Sequence, residues 1–319
     1  MYWIKINIYL IFKFGVDKIF SSIDTGSITE KNKNEGTKLL LLLLGVFLLV
    51  LTVSLSGSYA ATVSNGTNHT VSSSHYNITI FDPTVGGNVL LNPSINKYIP
   101  KTNFSNQIFQ MTKYGSVIIK MGNGKGPKLL ISVGIHGNEP QANIAIMKYL
   151  ELIKDKQING TLYIIPFDIP KDTALNTRYY NGLDPNRIAN IKGTPSYKIV
   201  QFARANGIKY ILDVHSGGGV GKNGYIYVNK YSTTIENKWV SYIKSKTYAA
   251  SGVDSADNAG MIRVAAHSYG INTITLETER DSAPVLTAAI AEYRMIVAAT
   301  HYLGFSWISK IKIIIFFRK

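Results

Sequence analysis

Ile131-Ser132-Val133-Gly134-Ile135-His136-Gly137-Asn138-Glu139-Pro140 is the stretch on which the fold turns. An apolar run that reads as a β-strand passes into a His and a Glu three residues apart, where glycine and proline redirect the backbone. Two other stretches follow the same plan. Leu212-Asp213-Val214-His215-Ser216 is an apolar strand ending in a histidine, and Thr273-Ile274-Thr275-Leu276-Glu277 is one ending in a carboxylate. Imidazole nitrogen and carboxylate oxygen both suit Zn²⁺, and a catalytic zinc keeps three protein ligands and one open position. Each piece has a plainer reading by itself. A His-x-x-Glu arises often by chance, a strand-terminal His is usually hydrogen-bonded, and a Glu after an apolar run usually ends a strand in water. Their shared position decides between the readings, because open α/β sheets bind ligands beyond the carboxyl ends of their strands.

Working outward, strands are expected at Ser116–Lys120, Lys128–Ile135, Thr161–Phe167, Lys209–Val214 and Gly224–Val228. Helices are expected from Pro140 to about Leu152, over Ser196–Asn206, and from Pro284 to about Tyr302. In the first, Ile144, Met147, Leu150 and Ile153 recur at helical spacing and read as core. Helices alternating with strands predict an α/β fold, a mixed β-sheet flanked by helices. No internal repeat is present.

Four separated motifs then resemble, in the same order, those of the zinc carboxypeptidase and succinylglutamate desuccinylase/aspartoacylase superfamily. Gly134-Ile135-His136-Gly137-Asn138-Glu139-Pro140 resembles its first zinc motif, and Gly182-Leu183-Asp184-Pro185-Asn186-Arg187 its Asn-Arg motif. Pro185 stands where an apolar residue is usual. Asp213-Val214-His215-Ser216 resembles the third-ligand motif, and Thr275-Leu276-Glu277 the catalytic-glutamate motif. The likeness runs from about Ile118 to Gly304. It implies that His136, Glu139 and His215 hold Zn²⁺ and that Glu277 is the general base and then the acid. It implies further that Asn186 and Arg187 clamp a substrate carboxylate, a task that suits the guanidinium fork. Arg178 falls where an oxyanion-stabilising arginine is often found; the other reading is a surface residue. In the carboxypeptidase branch the residue lining the side-chain pocket lies roughly fifteen positions before the catalytic glutamate. Arg263 falls there, which implies a substrate with an acidic side chain or a second carboxylate, against the plainer reading of a salt-bridged surface arginine.

Three neighbouring residues leave choices open. Glu279 shares a strand face with Glu277, although the motif favours Glu277. Asp213 either fixes the tautomer of His215 or merely ends a buried strand. Tyr225, Tyr227 and Tyr231 either pack on the sheet face, as tyrosine in strands tends to, or lend one ring to the substrate pocket.

The chain has 319 residues, room for one α/β domain with extensions, and its 45% hydrophobic content is compatible with a substantial core. It has no cysteine, which excludes disulfides, thiol catalysis and thiolate metal sites. A net charge of +15 invites a nucleic-acid reading, but the basic residues are scattered and match no nucleic-acid motif. An anionic substrate, a membrane surface or an envelope polymer is the better counterpart. Residues 1–38 are read as a cytoplasmic or mis-called N-terminal extension, and 39–60 as a signal peptide or membrane anchor, since Leu39–Leu55 carries no charge and follows Lys31, Lys33 and Lys38. Residues 61–80 read as a polar linker with sequons at Asn65, Asn68 and Asn77, and 81–115 as an irregular capping segment. The zinc hydrolase domain is placed at 116–305 and an apolar-basic tail at 306–319.

The expectation is an exported zinc hydrolase, secreted or membrane-anchored, that cleaves an amide bond beside a free carboxylate. Its substrate is a peptide or cell-wall peptide, as for a carboxypeptidase, or an N-acyl amino acid, as for a deacylase. Export favours the peptide; the short interval between His136 and His215 favours the deacylase. A non-catalytic envelope-binding protein is the rival from another class, and the quartet His136, Glu139, His215 and Glu277 speaks against it because a binder needs no general base.

Overall fold

The computed structural model describes residues 70–305. They form a mixed nine-stranded sheet flanked by helices. The strands are β1 (Thr70–Ser72), β2 (Tyr76–Asp82), β3 (Ser116–Met121), β4 (Lys128–Val133), β5 (Thr161–Ile165), β6 (Tyr210–Gly217), β7 (Tyr225–Val228), β8 (Ala250–Val253) and β9 (Asn272–Glu279). Their order across the sheet is β1-β2-β3-β5-β4-β6-β9-β7-β8. The central run β5-β4-β6-β9 is parallel, whereas β3 and β7 join it antiparallel. Parallel central strands send β4, β6 and β9 out at the same edge, with His136, His215 and Glu277 beyond or near their ends.

Alternation along the strands sorts the side chains into two cores. Leu129, Ile131 and Val133 of β4, Leu212 and Val214 of β6, and Ile274 and Leu276 of β9 share one face. That face is covered by α2 (Asn103–Thr112), α3 (Pro140–Ile153), α6 (Thr234–Thr247) and α8 (Val285–Tyr302). Leu130 and Ile211 pack on the other face against α5 (Pro195–Ala205) and α7 (Ile262–His267). Each fully buried Leu or Ile contributes about 1.5–3 kcal/mol relative to exposure. The same alternation puts Asp213 and His215 of β6, and Thr275 and Glu277 of β9, on the α5/α7 side. The polar residues of two apolar strands are thereby aimed into one space.

The sheet starts earlier than the sequence reading placed it. Thr70–Ser72 and Tyr76–Ile80, assigned there to a polar linker, are strands, and β2 continues through Asp82. The Ser/Thr/Asn content that suggested a solvated linker belongs to edge strands: in β2, Tyr76 and Ile78 are buried while Asn77 between them is exposed. Within the stretch read as an irregular capping segment lie α1 (Pro93–Tyr98) and α2. Asn92 caps α1 by accepting from the backbone N–H groups of Ser94 and Ile95, and Thr102 caps α2 by accepting from that of Ser105. The expected strands and helices elsewhere are present with ends moved by a few residues. The readings for residues 1–69 and 306–319, including the signal or anchor segment, lie outside the described residues. Among the described residues no helix is long and apolar enough to cross a membrane.

Candidate metal centre

His136 and Glu139 stand in the turn between β4 and α3, where the Glu139 N–H donates to the His136 carbonyl at 3.3 Å and Pro140 opens the helix. The turn fits only because residue 137 is glycine: a Cβ there would overlap the backbone of Asp172 at the start of α4 (Pro170–Leu175). His215 arrives from β6 and is in register with Glu277 on β9. One ligand atom each from His136, Glu139 and His215 falls within 4.8 Å of the others, and all three residues are buried.

Glu139 bridges the two rings. Its Oε1 lies 2.8 Å from His136 Nδ1 and its Oε2 3.0 Å from His215 Nδ1, and Oε2 also accepts from the Ser216 N–H at 3.0 Å. Burial opposes ionisation of Glu139, but the two imidazoles outweigh it and hold the carboxyl far below the ordinary carboxylate range. Burial also disfavours a charged His215, and there Asp213 and Glu139 prevail, so the ring's pKa is raised well above the ordinary value. The outer nitrogens are anchored as well: His136 Nε2 lies 2.9 Å from Asp184 Oδ1, and His215 Nε2 3.1 Å from Asp213 Oδ2. Two Nδ1 atoms and a carboxylate converging, with each Nε2 backed by an aspartate, is the donor set and support that a divalent cation of the zinc type requires. The residues fit the metal.

Arg178 reaches the same cluster. Its Nε and Nη2 donate to Asp184 Oδ2 at 3.2 and 2.8 Å, and Nη1 donates to Glu139 Oε1 at 3.3 Å. Asn186 is buried, its Oδ1 accepting from the Ile262 N–H at 2.9 Å and its Nδ2 3.3 Å from His215 Nε2. Arg187 donates to the Asn186 carbonyl and has no ion-pair partner among the described residues. All three line one cleft together with His136, Glu139, His215, Arg263 and Glu277.

Glu277 and Glu279 separate cleanly. Glu277 faces the cleft, and burial raises its carboxyl pKa against the pull of His215. Gly217 lies against it so closely that a Cβ would overlap Glu277 Oε1. Glu279 turns instead to backbone: it accepts from the N–H groups of Gly219 and Val220 through Oε2, and from those of Asp281 and Ser282 through Oε1. Asp213 reaches His215, so its role as the ring's partner has a geometric basis.

Arg263 is neither a surface residue nor a free cation. It is 2% exposed. Its Nε donates to Thr275 Oγ1 and its Nη1 to Asn229 Oδ1, both at 3.2 Å. Its Nη2 meets Asp254 Oδ2 at 3.2 Å and Asp257 Oδ1 at 2.6 Å. An acidic substrate side chain would have to compete with two carboxylates already in place, which removes the reason for expecting one. Tyr227 lines the cleft, whereas Tyr225 packs on it with ring centroids 4.6 Å apart and Tyr231 is exposed. Sequence reasoning quoted Asp184 without giving it a task and missed Asn229, Asp254 and Asp257. No apolar period runs through Asp254-Ser255-Ala256-Asp257-Asn258; only its nearness to Arg263 hinted at a partner.

Residues 125–297, more than half of the chain, match the family model of the succinylglutamate desuccinylase/aspartoacylase catalytic domain. No curated protein matches. Among solved structures, the tripeptide-bound cell shape determinant Csd4 of Helicobacter pylori is 16% identical, with 61% of this chain and 57% of that chain covered and a TM-score of 0.49. An aspartoacylase family protein of Mesorhizobium loti is 21% identical, with 61% and 63% covered and a TM-score of 0.49. The product-bound ectoine utilization protein EutE (DoeB) of Ruegeria pomeroyi is 18% identical, with 63% and 65% covered and a TM-score of 0.48. The chain thus spans less than two thirds of the length of each.

Proposed function

This chain belongs to the succinylglutamate desuccinylase/aspartoacylase family, and from that premise we propose that it is an exported, zinc-dependent hydrolase of an amide bond beside a free carboxylate, carboxypeptidase-like on peptides or cell-wall peptides. The observation that carries the proposal is the convergence on one cleft of the His136–Glu139–His215 cluster, Glu277 and Arg187, which has no ion-pair partner among the described residues. A divalent cation held by His136, Glu139 and His215 would supply Lewis acidity toward the amide carbonyl and toward water.

The chain's own groups do the rest. Arg187 forks onto the substrate carboxylate and so sets the scissile amide at a fixed distance from it. The Arg178 guanidinium is directed at the cluster and stabilises negative charge on the carbonyl oxygen as the carbon becomes tetrahedral. Glu277 takes a proton from the attacking water and hands it to the amide nitrogen as the C–N bond breaks. A carboxyl whose pKa burial has raised above the ordinary range suits both halves of that transfer. Asp184 and Asp213 touch no substrate; they hold the rings of His136 and His215.

A second reading, deacylation of N-acyl amino acids, is favoured by the description of the matched family. The two differ only in what lies on the acyl side of the bond. Export rests on the sequence of Leu39–Leu55 alone.

The full chain, loaded with zinc, should release free amino acids from a mixed panel of peptides and N-acyl amino acids, read by mass spectrometry. Release from peptides supports the carboxypeptidase, and release from acyl compounds alone selects the deacylase. Glu277→Gln should lower kcat at least about a hundredfold with bound zinc unchanged. Full activity in that variant would remove Glu277 from its role.

A further inference from the structure

Opposite the metal centre, the sheet has a basic edge. β4 and β5 begin there side by side, with Lys128 in register with Thr161, and β6 and β9 begin with Tyr210 in register with Asn272. The turns that feed these strands are tied to one another. The Asn123 N–H donates to the Ile158 carbonyl at 3.0 Å, and the Gly124 N–H to that of Gly160 at 3.1 Å. The Lys209 N–H donates to the Lys128 carbonyl at 3.4 Å, and Lys128 Nζ to the Asn206 carbonyl at 2.8 Å. The Asn272 N–H donates to the Lys209 carbonyl at 3.0 Å, and Thr233 Oγ1 to Asn272 Oδ1 at 2.8 Å. These contacts bring Lys125, Lys156, Arg204, Lys209 and Lys230 to one edge. All but the half-buried Lys156 are exposed, and none has an ion-pair partner among the described residues. Across residues 122–127, 154–160, 204–209, 229–233 and 267–271 the only acid is Asp155. Two tyrosines stand among the cations. Arg204 lies over the Tyr269 ring at 4.8 Å and Lys230 over the Tyr231 ring at 5.5 Å, and both tyrosines are exposed.

Cations without counter-ions, interleaved with exposed rings, suit the headgroup region of an anionic bilayer. There lysine and arginine meet phosphates, and tyrosine sits between water and hydrocarbon. The chain also leaves the described fold here. α8 runs back from the end of β9 to this edge, and the Phe305 ring packs where a Cβ on Gly160 would meet its Cε1 at 2.8 Å. Beyond Phe305, residues 306–319 hold four Lys or Arg, no acid, and eight large apolar residues: Trp307, five Ile, Phe316 and Phe317. A soluble polyanion would satisfy the charges but gives those apolar side chains nothing to bury in, so the bilayer is the better fit. We propose that the edge carrying Lys125, Lys156, Arg204, Lys209 and Lys230 docks on an anionic lipid bilayer. The metal centre lies beyond the other ends of the same strands, roughly 20 Å away along the six residues of β4. Docking therefore turns the cleft away from the membrane and toward substrate in the surrounding medium. The inference does not depend on the hydrolase reading.

The test is amine labelling of the full chain, read residue by residue by mass spectrometry, on vesicles of phosphatidylcholine alone or with added phosphatidylglycerol. Comparing the two lipids cancels any contribution of the apolar run Leu39–Leu55, because burying it needs no anionic headgroup. On the anionic vesicles Lys125, Lys209 and Lys230 should label about fivefold more slowly than on the neutral ones, the size of one lysine's attraction to such a surface. Lys222, exposed in the turn after β6 at the cleft edge, should label alike on both. Added salt should remove the difference. Replacing Lys125, Lys209 and Lys230 together by Gln should abolish the protection of Lys156 and leave zinc binding unchanged. Should that variant not fold, the wild-type comparison of lipids decides. Equal labelling of the basic edge on both lipids, or Lys222 protected as strongly as that edge, overturns the inference. So does protection of Lys156 that persists in the folded variant. Protection by dextran sulfate with none by vesicles also overturns it, in favour of a polymeric partner.

Discussion

Asp184 holds two residues with its two oxygens. Oδ1 anchors His136 Nε2 at 2.9 Å and accepts from the Asn186 N–H at 2.9 Å, while Oδ2 takes both bonds from Arg178. Burial works against its charge, and His136 and Arg178 overcome that and hold the carboxyl well below the ordinary range. Asp184→Asn keeps an acceptor for the ring but removes the charge that balances Arg178. Ligand-orienting partners of this kind typically change metal affinity 10–100-fold, so zinc affinity, measured by competition with a chromophoric chelator, should fall by about that factor. Affinity within twofold of the parent would mean that His136 is oriented by other contacts. The candidate ligands His136, Glu139 and His215 were legible in the sequence because each sits at or just beyond the end of an apolar strand, a place that a two-residue period makes visible. Arg263 was legible only as a charge in the right segment. What it does depends on Asp254 and Asp257, and a loop without periodicity gives no sign of where its side chains turn.

At the scale of elements, β9 and the two loops beside it behave as one unit. Glu279 joins the Gly219–Val220 turn to the Asp281–Ser282 turn through four backbone N–H bonds. The Arg280 N–H closes the same unit by donating to the Gly217 carbonyl at 2.7 Å. Glu277, two residues before Glu279 on β9, has Gly217 packed against it. Glu279→Ala deprives all four N–H groups of their acceptor, and water can replace only the exposed part of that loss. We expect a destabilisation of about 2–4 kcal/mol in denaturant unfolding and a lower kcat with zinc still bound; a stability change under about 0.5 kcal/mol would mean that the turns hold themselves. The strands and long helices that build this end were readable from apolar period and proline. α6 was missed although its start is marked by Thr233-x-x-Glu236, a reciprocal capping box in the structure. Trp239, Val240 and Ile243 form its narrow buried stripe among lysines, so the apolar signal was diluted. β1 and β2 were missed for the complementary reason, that edge strands with one wet face have a linker's composition.

At the scale of the whole molecule, the two faces of the sheet differ in what they can tolerate. The face under α3, α6 and α8 is apolar, yet α8 brings Glu292 into it, fully buried, beside Thr278 on the opposite side of β9 from Glu277. Burial drives the Glu292 carboxyl pKa up to about 8 from 4.5, and Thr278 offsets little of this. The consequence for stability follows from linkage. Between pH 4.5 and about 8 the folded protein keeps this proton while the unfolded chain has released it, so the folded state binds more protons and loses stability as pH rises. The contribution is fully present below pH 4.5 and is lost on approaching and passing pH 8. A pKa unit corresponds to about 1.4 kcal/mol, so the effect amounts to a few kcal/mol across that window. Glu292→Gln fills the same volume without an ionisable group. With zinc held saturating, so that the ligand residues do not titrate, its Tm should exceed that of the parent near pH 8 by several degrees and match it near pH 4.5. Equal Tm differences at both pH values would show that Glu292 reaches water or a partner on folding, and that the core under β9 carries no such acid.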